Sequence, residues 1–163
     1  MLQPLQWSLL PLCVAALLAS TPAFAQSTWT GLGSDNNWST AGNWDVAPTF
    51  PAALTFAGTT QLNPNNDLSG ITVGTNGGIA ITFDAAAGEF TLSGNTITLD
   101  GQVGFSENPA TVVTQAITMP IYLNRTVGFN TPTNGVVIAN GSITALGQYG
   151  VWVGGYGRLI LGA

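Results

Sequence analysis

Ionisable and reactive side chains are what this sequence has least of. Its 163 residues include no His, one Cys and only two basic residues, Arg125 and Arg158, against seven acidic ones, for a formal net charge of −5. Charged residues make up 6% of the chain, far below the ~25% of an ordinary globular domain. Each scarcity excludes a class of function. Nucleic acid and anionic lipid surfaces are both held by clustered Lys and Arg, so neither is an expected partner. Ser–His and Cys–His nucleophilic machinery lacks its base, and a zinc site lacks its preferred ligands. The Gly-rich stretch Gly154-Gly155-Tyr156-Gly157 lacks the Lys and the spacing of a phosphate loop and reads as a tight turn. No cofactor is expected, and the chain is read as not an enzyme. Low charge does not mean disorder, because a composition that is 45% hydrophobic is far too apolar for a chain that stays unfolded.

The first 25 residues stand apart. A mostly apolar run from Leu9 to Leu18 is followed by Thr21-Pro22 and then Ala23-Phe24-Ala25, with small residues where a signal peptidase reads. The run is shorter than the ~20 residues that span a bilayer. The n-region has no Lys or Arg, yet the pattern predicts a signal peptide over residues 1–25, cut between Ala25 and Gln26. Cys13 leaves with it, so the mature chain, a single domain in length, forms no disulfide. The expected location is secreted or at a bacterial cell surface.

From Gln26 onward, short runs of apolar and β-branched residues alternate with Gly, Asn and Asp. Ile79-Ala80-Ile81-Thr82-Phe83, Phe90-Thr91-Leu92, Ile97-Thr98-Leu99, Ile121-Tyr122-Leu123 and Val151-Trp152-Val153 have the period-2 pattern of strands. Asp100-Gly101, Asn134-Gly135 and Asn140-Gly141 supply turns. No mature segment carries a helical apolar stripe. An all-β protein follows. Runs of three to five residues favour a right-handed parallel β-helix, a solenoid of turns of roughly 20 or more residues. A β-sandwich of hairpins is the alternative. Stacked turns also account for the scarce charge, since uncharged polar ladders can line their outer faces.

Three of the five tryptophans, Trp29, Trp38 and Trp44, fall close together among Asn and Asp. Two roles fit them. The rings can stack on the sugars of cell-wall or extracellular glycans, or they can cap the first turn and bond through their indole N–H groups. The cap is the favoured reading, which divides the mature chain into a Trp/Asn-rich N-terminal cap over 26–50 and a β-helix-like segment over 51–163.

The string Trp29-Thr30-Gly31 followed by Asn37-Trp38-Ser39-Thr40-Ala41-Gly42-Asn43-Trp44 resembles the opening of bacterial proteins with autotransporter-associated β-strand repeats. Leu54-Thr55-Phe56-Ala57-Gly58, the run from Phe90 to Leu99 and the run from Gln115 to Leu123 extend the likeness, and Gly157-Arg158-Leu159-Ile160-Leu161-Gly162-Ala163 resembles the start of one repeat. The resemblance implies a β-helical passenger that is secreted or displayed, held to the outer membrane only through a C-terminal anchor that these residues do not include. The chain departs from that plan by stopping partway into a repeat, so it is read as truncated or as a leader module. The family shares no catalytic residues to transfer.

Chemistry would have to come from the carboxylates Asp35, Asp45, Asp67, Asp84, Glu89, Asp100 and Glu107. A polysaccharide-acting enzyme on this fold would need two of them in one cleft, for instance Asp84 with Asp100. Turn residues are the plainer reading. Calcium through Asp35 or Asp67 is a minor option, because Gly31-Leu32-Gly33-Ser34-Asp35 is half of a calcium-binding repeat and occurs once. Asn37, Asn124 and Asn140 begin glycosylation sequons that matter only in a eukaryotic secretory pathway. The expected function is structural or adhesive, with a carbohydrate-binding module as the alternative. The open strand edges of a solenoid are expected to pair between copies.

Overall fold

The computed structural model describes residues 26–162. The proposed signal peptide, including Ala25 at its cleavage site, lies outside the described residues.

Among the described residues fifteen short strands form three faces. The first face holds β1 (Gln26–Trp29), β2 (Ala53–Phe56), β5 (Ile79–Phe83), β8 (Gln102–Phe105), β11 (Val127–Asn130) and β14 (Val151–Gly154). The second holds β3 (Asn65–Asn66), β6 (Thr91–Gly94), β9 (Val113–Ile117), β12 (Gly135–Ala139) and β15 (Arg158–Leu161). The third holds β4 (Thr72–Val73), β7 (Ile97–Leu99), β10 (Ile121–Leu123) and β13 (Ile143–Ala145). From β2 onward the chain visits the first, second and third faces in turn and then returns to the first. Every ladder is parallel, which makes a β-solenoid of about six turns and sets aside the sandwich of hairpins.

Alternation in the sequence explains the register. In β7, Ile97 and Leu99 are buried and Thr98 faces out. The same pattern stacks inward columns: Leu54, Ile81, Val103 and Phe129 on the first face, and Leu92, Ile117 and Ala139 on the second. Val73, Leu99 and Leu123 continue the core on the third face. Burying each large apolar side chain contributes roughly 1.5–3 kcal/mol, so the columns dominate the stability. A turn takes from 22 residues, as between Ile81 and Val103, to 28, as between Asn66 and Gly94.

On the second face a polar side chain in register with Val137 also points inward, and its hydrogen bonds are supplied locally. Gln115 is fully buried, its Oε1 accepting from Phe90 N at 2.7 Å and its Nε2 donating to Gly88 O at 3.1 Å. Beside it, Glu89 accepts from Thr114 N at 2.9 Å. These two side chains bridge adjacent turns next to the β6–β9 ladder, sparing buried groups the cost of going unpaired. The single helical element among the described residues is one 3-10 turn, Ala41–Asn43. None of them forms a helix long and apolar enough to cross a membrane.

Candidate functional site

The tryptophan segment folds over the N-terminal end of the stack. Trp29, at the end of β1, lies in register with Phe56 and forms an antiparallel bridge with Trp44. Asn37 forms a parallel bridge with Asn65, extending the second-face ladder by one position. Asn43 ties the loop together from inside. Its Nδ2 donates to Asp35 O at 2.8 Å and Asn37 O at 3.0 Å, while its Oδ1 accepts from Gly33 N at 2.9 Å. The Trp29 and Trp44 rings meet edge-to-face with centroids 5.1 Å apart, Trp38 and Trp44 meet likewise at 6.1 Å, and all three pack on Phe56.

The three indoles are 0%, 1% and 5% exposed for Trp29, Trp38 and Trp44. Sugar stacking needs an open ring face, so the assignment of glycan contact to Trp29, Trp38 and Trp44 is corrected: their rings are the cap's core. The expected indole hydrogen bonds also need correcting. Trp44 Nε1 donates to Trp38 O at 2.9 Å, but Trp29 Nε1 and Trp38 Nε1 are buried without an acceptor among the described residues. Edge-to-face packing and buried area, rather than polar pairing, hold these two rings.

The cap's carboxylates serve its backbone. Asp35 accepts from Asn37 N, Asp45 from Thr28 N, and Asp67 from both the amide and the hydroxyl of Ser39. The Asn37 amide holds the Asp35 carboxyl below its usual 3.8, and the Thr28 amide does the same for Asp45. For Asp67, partial burial works in the opposite direction, and the Ser39 hydrogen bonds outweigh it, leaving the carboxyl lowered. Among the described residues no three carboxylates converge as a metal site would require, which gives no support to calcium at Asp35 or Asp67.

The acid–base pair is not assembled. Asp84 follows β5 on the first face and caps its own corner through Ala86 N, at 2.9 Å. Asp100 follows β7 on the third face, where Arg125 Nε donates to it at 2.5 Å and Asn76 N at 3.0 Å. Their sixteen-residue spacing falls short of a full turn, so they occupy different columns. Asp100 borders a groove of about 480 Å³ that also includes Phe50, Ile71, Thr72 and Asn76. It brings no second carboxylate, and glycoside hydrolysis needs two.

Two features escaped the reading of residue patterns. The inward column positions of the last turn, Val153 and Leu161, are 54% and 55% exposed, although their register partners Phe129 and Ala139 are buried. On the outside of the first face, Trp152 lies across Gly128 and Gly154 and is 44% exposed. Two glycines inside strands are a signal that another group approaches the backbone closely, and that signal was present in the sequence.

No protein family, no curated protein and no solved structure matches the chain.

Proposed function

We propose that the chain is an exported structural or adhesive protein, the passenger part of an autotransporter-like protein, presented outside a bacterial cell and performing no chemistry of its own. The observation that carries this reading is the repetition of the fold: the described strands stack in parallel ladders into a solenoid of about six turns, with a tryptophan cap over its N-terminal end. Stacked turns make a rigid rod whose outer faces are available for contact, and such repetition suits extension and adhesion. The residues that resemble a signal peptide, and the likeness of the tryptophan string to autotransporter-associated repeat proteins, support the export part of the reading.

The test is to express the full chain and a version lacking residues 1–25 in a Gram-negative host, then locate each by fractionation and by protease treatment of intact cells. The full chain is expected beyond the inner membrane and the shortened one in the cytoplasm. Retention of the full chain inside, or export of both, would overturn the localisation.

A further inference from the structure

We infer that Trp152 is the stacking platform of a carbohydrate-binding surface on the outside of the first face, and that its ligand is a neutral polysaccharide. The site is built into the backbone. Gly128 pairs with Trp152 across adjacent strands, and Gly154 lies two residues beyond it. A Cβ on Gly128 would come within 2.5 Å of Cε2 of the Trp152 indole, and one on Gly154 would come within 2.5 Å of Cζ3. Opposite edges of the ring thus occupy the space that two missing side chains vacate. The indole lies down on the sheet, toward the preceding turn.

Glycine weakens a strand interior relative to Ala, so two at one spot are a cost that a flat seat for the ring accounts for. The groups beside the ring suit sugar hydroxyls. Asn130 Nδ2 donates to Gln102 Oε1 at 2.5 Å, joining two amides along the stack axis. Asn130 Oδ1 points to the same Gly154 position that the indole overlies. Among the described residues neither Asn130 Oδ1 nor Gln102 Nε2 has a hydrogen-bond partner, which leaves one acceptor and one donor for hydroxyl groups. Past the amide pair, a hollow of about 100 Å³ lies between Thr82, Gly104 and Phe105. The C–H face of a pyranose ring, slightly positive, is attracted to the negative face of an indole.

Charge decides the ligand class. The outward residues Thr82, Gln102, Asn130 and Trp152 carry no formal charge. Arg125 is paired with Asp100 at a corner of the third face, and Arg158 lies on the second. A polyanion such as a uronic acid polymer would find no counter-charge here, whereas a neutral glucan or mannan needs none.

This inference gives the adhesive reading a ligand class but does not depend on export. Its test therefore uses the purified chain from residue 26 onward. Cellulose, chitin, soluble β-glucan and galactomannan are the probes, with polygalacturonate as the anionic comparison. Trp152 is the one exposed indole among the described residues, and Trp7 is absent from this chain, so acrylamide quenching reports on it selectively. Binding of at least one neutral polymer should protect Trp152 from quenching. Trp152→Ala should weaken that binding by tenfold or more at an unchanged unfolding midpoint, Trp152→Tyr should retain most of it, and Gly128→Val should weaken it by displacing the ring. If Trp152→Ala fails to fold, the pair Asn130→Ala and Gln102→Ala reports instead, with an expected loss of at least threefold. The inference is overturned if no neutral polymer binds, if polygalacturonate binds better, or if these variants bind like the parent. An exported chain that binds nothing would leave the localisation standing and sink this inference, and a binding chain retained in the cytoplasm would do the reverse.

Discussion

At the N-terminal end of the stack, the position that follows Phe56 in the first-face column belongs to Trp29, and Trp38 and Trp44 fold down to close the space around it. In the last described turn the neighbouring first-face column, which runs through Leu54, Ile81, Val103 and Phe129, holds Val153, and the second-face column holds Leu161, both more than half exposed. A parallel solenoid exposes core and unpaired strand edge at each end. The difference between these two ends shows that a cap need not be a helix. Three indoles, one 3-10 turn and a buried asparagine suffice to cover a turn, because aromatic rings bury more area per residue than any other side chains. Where no such ring is supplied, inward positions stay partly wet, and their contribution to stability shrinks with the area they fail to bury.

The largest effect expected from this contrast is on stability. Trp38→Ala removes a fully buried aromatic and should cost roughly 3–5 kcal/mol, as large-to-small core substitutions do. Leu161→Ala, at the wet end, should cost about 1 kcal/mol or less. Urea unfolding of the two variants measures both, and equal losses would break the comparison.

Association comes next. In a chain of these residues alone, the edges of β13, β14 and β15 that have no partner among the described residues should let copies meet, giving a weight-average mass that rises with concentration in light scattering. Leu161→Lys places a charge on that edge and should shift the protein toward the monomer without a comparable loss of stability. A parent chain that stays monomeric at high concentration would contradict this.

The smallest effect is on pH dependence. Asp35, Asp45 and Asp67 all titrate below 3.8 in the folded chain. A lowered folded value means that the stabilisation is present above 3.8 and is lost as the pH falls through the folded values. All three lie in or against the cap, and the chain has no carboxylate side chain beyond Glu107. Acid should therefore loosen the N-terminal end first, and Asp45→Asn should flatten the unfolding midpoint's dependence on pH between 5 and about 3. A parent midpoint that does not change over that range would remove the carboxylates from the account.

Much of this fold is legible in the residues. Ile97-Thr98-Leu99 and Ile121-Tyr122-Leu123 alternate clearly, their shortness points to a parallel solenoid, and they stack directly on each other. The stacking partners were harder to identify, because corner lengths vary and the register slips at the bulge between Ile79 and Ile81. β3 is invisible to any hydrophobic pattern, since Asn65-Asn66 pairs through backbone and amide groups. Local sequence places the tryptophan string at the first turn, but whether its rings face sugar or core depends on Phe56 and Asn65, which arrive from later in the chain. Trp152 shows the converse. Val151, Trp152 and Val153 are all apolar, so the residues alone do not say which faces out, and the seat of Trp152 becomes apparent only when Gly128, a full turn earlier, is brought beneath it.

Native-state hydrogen exchange followed residue by residue tests the contrast between the ends most directly. The amides of Thr30, Trp38 and Asp45, bonded to Asn43 O, Asn65 O and Thr28 O, should exchange nearly as slowly as those of β7 and β8. The amides of β14 and β15 should exchange fastest of the strands, by local opening of the last turn. Rapid exchange throughout residues 30–45, with protection in β14 and β15, would contradict a first turn sealed by its tryptophans and a last described turn that stays partly wet.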